Sequence, residues 1–379
     1  MMRRKPLRTA VLPLLLLGLL VGCTVPAQVS SDLGEPIQWV DSAMEQAVRQ
    51  ELDKPTGIIY SGELDSIRIV TIRSSTLQFN NANIYSFGAG QGVQRLDDLA
   101  CFRRLGGLEV SQSLISDYSV IAQCRELQRL YLYKNPNLSD ISFLTGLPRL
   151  SQLILYGTGV TDLSPIGTLP ELQELDLRRN GLETLDTEGK FPKLRKLKLE
   201  GNQIADLSFL TSLVALQELD LRNNAISDLT PLQALSNLQK LNLARNDIED
   251  LSPLAAGSYP YLAMLDLSYN EIQDLSPLSG CGRLSTLHFA YNRVEDLTPL
   301  ERLSEMRVLN ASGNQFTSVE PLGKLSNLLE LDLSNNLLAD VSPLKKLRRL
   351  RTLDLTECSV TQRELKSLHQ ALPECDITV

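Results

Sequence analysis

The stretch LQELDLRNNAISDLTPL, residues 216–232, nearly repeats as LQKLNLARNDIEDLSPL at residues 238–254 and as LAMLDLSYNEIQDLSPL at residues 262–278. The first Leu of each Leu-x-Leu core recurs every 22 residues, apart from one step of 23 and one of 24. A near-constant period over twelve units predicts a repeat architecture, in which a unit buries its leucines only by stacking on its neighbours. The leucines in question are Leu108, Leu130, Leu153, Leu175, Leu197, Leu219, Leu241, Leu265, Leu287, Leu309, Leu331 and Leu353.

The Leu-x-Leu core alternates, so it predicts a short strand whose leucines are buried and whose intervening residues face outward. Behind the strands, tripeptides such as Ser252-Pro253-Leu254 place a capping hydroxyl before a proline and leave room for a single 3₁₀ turn. We therefore expect an α/β repeat solenoid, a right-handed horseshoe or arc. Its concave face should be a parallel β-sheet and its convex face should carry the 3₁₀ turns.

Asn stands five positions after the first Leu in most units. A buried amide at the turn leaving a strand both donates to and accepts from the backbone, so stacked units should form an amide ladder. Losing one amide would leave buried backbone groups unpaired, at a cost of about 1–3 kcal/mol. The ladder residues are Asn135, Asn180, Asn202, Asn224, Asn246, Asn270, Asn292, Asn314 and Asn336, with Ser113, Thr158 and Cys358 in the same position of the remaining units.

This pattern resembles the leucine-rich repeat family, in particular the internalin-like class with 22-residue units, over roughly residues 93–379. The segment IQWVDSAMEQAVRQELDKPTG, residues 37–57, is similar to the helical amino-terminal cap of internalin-like proteins. The resemblance implies a macromolecule bound on the concave face and, by analogy, adhesion or host recognition.

The sequence divides into five parts. We expect a signal peptide at 1–22, a flexible tether at 23–36, a helical cap with an irregular insertion at 37–92, about twelve repeats at 93–357, and a carboxy-terminal cap at 358–379. Within the first cap, Val70 and Ile72 predict an additional strand, and residues 75–92 hold the insertion. Ile377 predicts a final strand beside the last Leu-x-Leu core.

The amino terminus predicts export. The basic run MMRRKPLR precedes the apolar segment TAVLPLLLLGLLV, which is typical of a secretory signal peptide. Leu20-Val21-Gly22-Cys23 resembles the lipobox of bacterial lipoproteins, which implies that Cys23 becomes the lipidated (palmitate-bearing) first residue of the mature chain. The mature protein should then be anchored to a membrane of the bacterial cell envelope and exposed outside the cytoplasm.

Charge and cysteine content narrow the partners and the chemistry. Removing the signal peptide takes away four basic residues and no acid, so the net charge falls from −8 to −12, which disfavours nucleic acid as a partner. Five cysteines remain after Cys23, an odd number. Cys358 and Cys375 should lie near each other in the carboxy-terminal cap, where a disulfide and two buried free thiols are both open alternatives.

No catalytic constellation, cofactor motif or metal-ligand spacing stands out, so we do not expect an enzyme. His288 should face outward between Asp266 and Asn310 of the adjacent units. With no nucleophile or third ligand indicated beside it, it is interpreted as a solvated surface histidine.

The outward-facing positions carry the candidate site. Three tyrosines and an isoleucine in the second and third units predict an amphipathic patch suited to a protein interface, unless the 75–92 insertion covers it. Ordered charges in the middle units either steer a partner or solvate the sheet. The candidate partner-binding residues are Tyr131, Tyr133, Ile154, Tyr156, Asp176, Arg178, Lys198, Asp220 and Arg222.

Together these features predict a non-catalytic, envelope-anchored lipoprotein, monomeric, that binds a protein through its concave face. One alternative is glycan binding, with the tyrosine rings stacking on sugars. The other is a passive envelope scaffold.

Overall fold

The computed structural model describes residues 33–187 and 190–379, and there the chain forms one open sheet of sixteen strands with short turns behind it. The predicted signal peptide, Cys23 and most of the predicted tether lie outside these residues. The strands are β1 (Ile69–Arg73), β2 (Thr76–Phe79), β3 (Ile84–Ser86), β4 (Gly107–Ser111), β5 (Arg129–Tyr133), β6 (Gln152–Ile154), β7 (Glu174–Asp176), β8 (Lys196–Lys198), β9 (Glu218–Asp220), β10 (Lys240–Asn242), β11 (Met264–Asp266), β12 (Thr286–His288), β13 (Val308–Asn310), β14 (Glu330–Asp332), β15 (Thr352–Asp354) and β16 (Asp376–Thr378).

The leucine pattern fixes the register of the sheet. From β4 to β16 every neighbouring pair is parallel, and equivalent leucines stand side by side, as Leu241 does with Leu219 and Leu265. All twelve marked leucines are at most 2% exposed. The predicted solenoid with a parallel sheet and a continuous aliphatic core is therefore confirmed.

The convex face consists of single 3₁₀ turns in most units, as predicted. Among the described residues, the unit between β7 and β8 has no such turn. The unit that is two residues longer than the others forms a short α-helix, α2 (Ser252–Ala256), because the extra residues allow a wider turn. The 3₁₀ turns are Ser61–Leu64, Asp97–Cys101, Ser119–Gln123, Ser142–Gly146, Ser164–Thr168, Ser208–Ser212, Thr230–Ala234, Ser276–Gly280, Thr298–Arg302, Glu320–Lys324 and Ser342–Lys346.

The start of these turns differs from the expected cap. The hydroxyl residue does not cap the turn; the Asp two positions earlier accepts its hydrogen bonds. In the α2 unit, Asp250 accepts from the backbone N–H of Ser252 at 2.7 Å and from its Oγ at 2.7 Å. These bonds lower the pKa of Asp250, and equivalent bonds do the same for Asp296 and Asp340. The Asp of the Asp-Leu-Ser-Pro motif is thus the residue that fixes the turn.

The amide ladder forms as predicted. Asn246 donates from Nδ2 to the carbonyls of Leu221 (3.1 Å) and Leu243 (2.9 Å), and its Oδ1 accepts from the backbone N–H of Ile226 at 3.1 Å. The same bonds recur at the other ladder Asn residues and join their units to the ones before. Cys358 ends the series, with its thiol donating to the Leu333 carbonyl at 3.2 Å.

The amino-terminal cap closes the core on one side. Helix α1 (Ser42–Glu51) buries Met44, Ala47 and Val48, and β1 pairs in parallel with β4, placing Val70 opposite Leu108 as the sequence predicts. The insertion becomes the hairpin β2–β3, which pairs antiparallel with β1 and lengthens the sheet in its own plane. Because β4 and β1 lie between this hairpin and β5, the insertion does not fold over the tyrosine patch.

Two buried carboxylates fasten α1 to the first repeat. Asp41, 5% exposed, accepts from the N–H groups of Ala43 and Met44 at the start of α1 and from those of Gln94 and Arg95 across the cap. The carboxylate of Asp98, 2% exposed, accepts in turn from the N–H groups of Val40 and Asp41, at 2.9 and 2.8 Å. Burial raises the pKa of Asp98. We call this pair the aspartate clamp (Asp41 and Asp98).

The carboxy-terminal cap consists of helix α3 (Gln362–Ala371) and β16, with Ile377 beside Leu353 as expected. Cys358 and Cys375 are free thiols in this structure, and the disulfide stays a prediction. Each has a backbone partner instead, Leu333 for Cys358 and Asp376 for Cys375.

Candidate functional site

The concave sheet presents its outward side chains in rows, because equivalent residues of neighbouring strands stand opposite one another. Three regions follow one another along the sheet: a tyrosine patch at β5 and β6, a central block of mixed charge from β7 to β10, and an acidic end from β11 to β16. The outward side chains of each region have different partners.

The tyrosine patch (Tyr131, Tyr133, Ile154 and Tyr156) is half-buried by its own neighbours on the sheet. The Tyr131 hydroxyl donates to Gln152 at 2.8 Å, and the Tyr133 hydroxyl donates to Glu109 at 2.6 Å. Burial, together with the bond to Glu109, raises the pKa of Tyr133. The rings are therefore held in place before any partner arrives.

Tyr156 lies among cations. The guanidinium carbons of Arg178 and Arg179 lie 5.2 and 5.8 Å from its ring centroid, and Lys134 Nζ lies at 6.0 Å. These distances suit cation–π attraction. The patch that the sequence interprets as amphipathic thus has a positively charged border.

The central block pairs its charges internally. Glu218 lies between Lys196 and Lys240, at 3.4 and 3.2 Å, and Lys198 contacts Glu174 at 3.3 Å. Although burial acts to raise it, the hydrogen bonds and charges of the two lysines hold the pKa of Glu218 below its ordinary value. The lysine and glutamate rows neutralise each other across strands.

The arginines of the central block also form ion pairs with carboxylates of the block. Arg222 contacts both Asp220 and Glu200 at 3.2 Å. Arg178 lies over Asp176, with Nη2 and Oδ2 2.6 Å apart, and this bond raises the arginine's pKa. Asp176 is 0% exposed, which corrects the expectation that it faces a partner directly; it holds Arg178 in position instead.

The acidic end behaves in the opposite way. Five carboxylates face outward between β11 and β16, and within residues 33–187 and 190–379 no Lys or Arg forms an ion pair with any of them. Three are oriented by backbone N–H groups two residues on, from Ser268, Ser334 and Thr356. We call Asp266, Glu330, Asp332, Asp354 and Asp376 the acidic face.

Two adjoining hollows lie along this part of the sheet and share His288. The hollow towards β8 has a volume of about 230 Å³, and the hollow towards β16, lined by Asn310, Asp332 and Asp354, about 430 Å³. His288 stands in register between Asp266 and Asn310, as predicted. Across the described chain, no three His, Cys, Asp or Glu side chains are grouped as a metal site would require.

An aromatic stack borders the acidic face and was not anticipated from the sequence. Tyr269 and Tyr291 stack with centroids 4.7 Å apart and planes 14° apart, and the Arg245 guanidinium lies 4.1 Å from the Tyr269 centroid. Gly313 makes room for the stack, since a Cβ there would lie 2.7 Å from the Tyr291 ring. Both tyrosines remain exposed, at 41% and 47%. Their signal was the recurrence of Tyr just before the ladder Asn in two successive units.

Comparison with known proteins identifies the repeats as leucine-rich repeats. The family model of leucine-rich repeats in two copies matches residues 170–212, 192–234, 214–256, 304–346 and 326–367, and a second leucine-rich repeat model matches residues 236–294. No curated protein matches the chain. Within the described residues, no helix is both long and apolar enough to cross a membrane.

Solved structures show the same arc. An internalin (InlF) from Listeria monocytogenes is 25% identical, with a TM-score of 0.65 over 89% of this chain and 88% of its own. A leucine-rich repeat protein of Leptospira interrogans is 24% identical, with a TM-score of 0.68 over 75% and 81%. The functional domain of InlJ from Listeria monocytogenes is 17% identical, with a TM-score of 0.62 over 90% and 80%.

These findings define a leucine-rich repeat solenoid. More narrowly, the chain resembles the internalin-like leucine-rich repeat proteins.

Proposed function

We propose that this chain is a non-catalytic surface lipoprotein of a bacterial envelope that binds a protein partner on its concave sheet. Leucine-rich repeat proteins of the internalin and receptor type typically mediate protein–protein interactions. The observation that carries the proposal is the concave sheet of the described residues. Its outward rows are ordered by hydrogen bonds and ion pairs, and the β2–β3 hairpin extends the sheet at its edge and does not lie over them.

The size of the sheet supports a macromolecular partner. Twelve parallel strands at about 4.8 Å give a face roughly 53 Å across, far larger than a small metabolite needs. A face of this extent suits a folded protein or an extended segment of one. Adhesion or host interaction is the role we assign to such a contact.

A crosslinking experiment on intact cells tests the proposal. A photoreactive phenylalanine analogue replaces Tyr156 or Asp332 on the concave face. As the control it replaces Glu249, which is exposed and lies outside the strands. We expect the same protein to be captured from the concave positions and not from position 249. Identification by mass spectrometry is the readout.

Other results would redirect the proposal. Capture from position 249 alone would overturn the concave assignment. If no protein is captured but a glycan array binds the purified chain, and Tyr131→Ala or Tyr156→Ala removes that signal, the glycan alternative replaces it. If concave substitutions change no contact at all, the chain is a passive scaffold.

Anchoring is a separate prediction. If Cys23 carries the lipid, Cys23→Ala should abolish incorporation of a palmitate analogue and move the protein from the membrane fraction to the soluble fraction. One acyl chain gives marginal membrane binding and several give stable anchoring, so the shift should be nearly complete. Cys375→Ala is the matched control and should leave labelling unchanged. Labelling that survives in Cys23→Ala would contradict the lipobox assignment.

A further inference from the structure

We propose that the partner segment is a basic, arginine- or lysine-bearing extended peptide, and that it docks on the acidic face and the aromatic stack beside it. This inference rests on the proposed function and narrows it. It moves the main contact from the tyrosine patch and the central charges to the carboxy-terminal third of the sheet.

The charges of the central block are paired with one another, whereas those of the acidic face are not. In the central block, five cations already have a carboxylate within 3.5 Å, so a partner would have to break those pairs to use them; they are Arg178, Lys196, Lys198, Arg222 and Lys240. On the acidic face, none of the five carboxylates forms an ion pair with a Lys or Arg of the described chain. A cationic partner gains Coulomb attraction there without displacing an existing pair.

The outward side chains of the acidic region form a row as long as a short extended peptide. Asp266, His288, Asn310, Asp332 and Asp354 stand opposite one another on consecutive strands. Four strand spacings make this row about 19 Å long, a distance that an extended peptide covers in about six residues. The residues two positions after the row are small; they are Ser268, Ala290, Ser312 and Ser334.

Hydrogen bonds orient the carboxylates of the acidic face before a partner binds. The carboxylates of Asp332 and Asp354 are fixed by N–H groups at 3.0 and 2.8 Å, and Asp332 also accepts from the Ser334 hydroxyl at 2.7 Å. Three residues after Asp266, Tyr269 stacks on Tyr291, and both rings remain partly exposed. Rigid tyrosines lose little conformational entropy on binding and are frequent anchors at protein interfaces.

The chemistry separates a basic peptide from other occupants. An anionic nucleic acid or acidic protein is repelled by the uncompensated carboxylates. A neutral glycan would use the carboxylates as hydrogen-bond acceptors but would gain nothing from their charge. Guanidinium and ammonium groups satisfy both the charge and the acceptor capacity of carboxylates.

The test uses the purified full-length protein in detergent and a fluorescent peptide of alternating arginine and serine, with a glutamate–serine peptide as the opposite-charge control. Fluorescence anisotropy at low and physiological salt measures affinity. We expect the arginine peptide alone to bind, and binding to weaken as salt screens the charges.

The decisive comparison is between two double variants with equal changes in net charge. Asp332→Asn with Asp354→Asn should weaken peptide binding by at least about tenfold, since two charge-assisted contacts are lost. Glu249→Gln with Glu295→Gln removes two exposed acids outside the concave face and should change affinity by less than about twofold. Tyr269→Ala should also weaken binding.

Equal losses in both double variants would mean that net charge alone attracts the peptide, and would overturn the inference. So would peptide binding that is unaffected by Asp332→Asn with Asp354→Asn. The further inference can fail while the proposed function stands. If a cellular partner is captured at Tyr156 but never at Asp332, binding on the concave face is supported and the assignment of a basic peptide to the acidic face is wrong.

Discussion

Replacing Asp41 with alanine is expected to detach the amino-terminal cap from the repeats. The substitution removes a helix cap from Ala43 and Met44, a loss of about 1 kcal/mol, and removes the carboxylate that accepts from the part-buried N–H groups of Gln94 and Arg95, at about 1–3 kcal/mol each. We therefore expect the free energy of unfolding to fall by about 3–7 kcal/mol. Urea denaturation measures that loss.

Hydrogen exchange then shows where the structure opens. Amides of residues 37–79 should exchange faster in the Asp41→Ala variant, while those of the distant repeats keep their protection. Glu45→Ala, on the same helix, removes only a partly exposed ion pair with Arg49 and should cost less than about 0.5 kcal/mol. An Asp41→Ala variant no less stable than Glu45→Ala would show that the aspartate clamp does not hold the cap.

Replacing Leu265 with alanine should destabilise the middle of the array by about 2–5 kcal/mol. The side chain is 0% exposed and packs between coils whose leucines stand on both sides of it, so its loss leaves a cavity. Thermal or urea unfolding of the variant provides the measurement.

Met264→Ala is a matched control, because it removes a side chain of similar size from the adjacent position. Met264 is 42% exposed on the concave face, so its truncation should cost less than about 1 kcal/mol. The contrast between neighbouring positions tests the division of each strand into buried and outward residues. Similar losses at both positions would be inconsistent with that division.

Most of the fold could be predicted because it depends on local periodicity. The spacing of the leucines determines both the strand and its register, and the position of Asn246 within its unit determines the ladder bonds. Even β1, outside the regular repeats, could be placed from Val70 and Ile72. The leucines and the ladder Asn recur at the same positions of nearly every unit, so the prediction for one unit supports the prediction for its neighbours.

The candidate site was harder to predict because it depends on side-chain partners across strands. The sequence places Asp176 and Arg178 two residues apart on one strand, but it does not show that the arginine folds over the carboxylate and buries it. Nor does it show which charges remain uncompensated. The aspartate clamp was missed for a related reason: Asp41 reaches N–H groups more than fifty residues away.

The amide ladder has a consequence for how such proteins change over time. Each Asn satisfies carbonyls of its own unit and of the preceding one with the same bonds at nearly every junction, so the two faces of a unit are interchangeable between copies. A gene duplication that adds one 22-residue segment would create a junction chemically identical to those already present. The recognition surface can therefore lengthen or shorten in steps of one strand without any redesign of the interior.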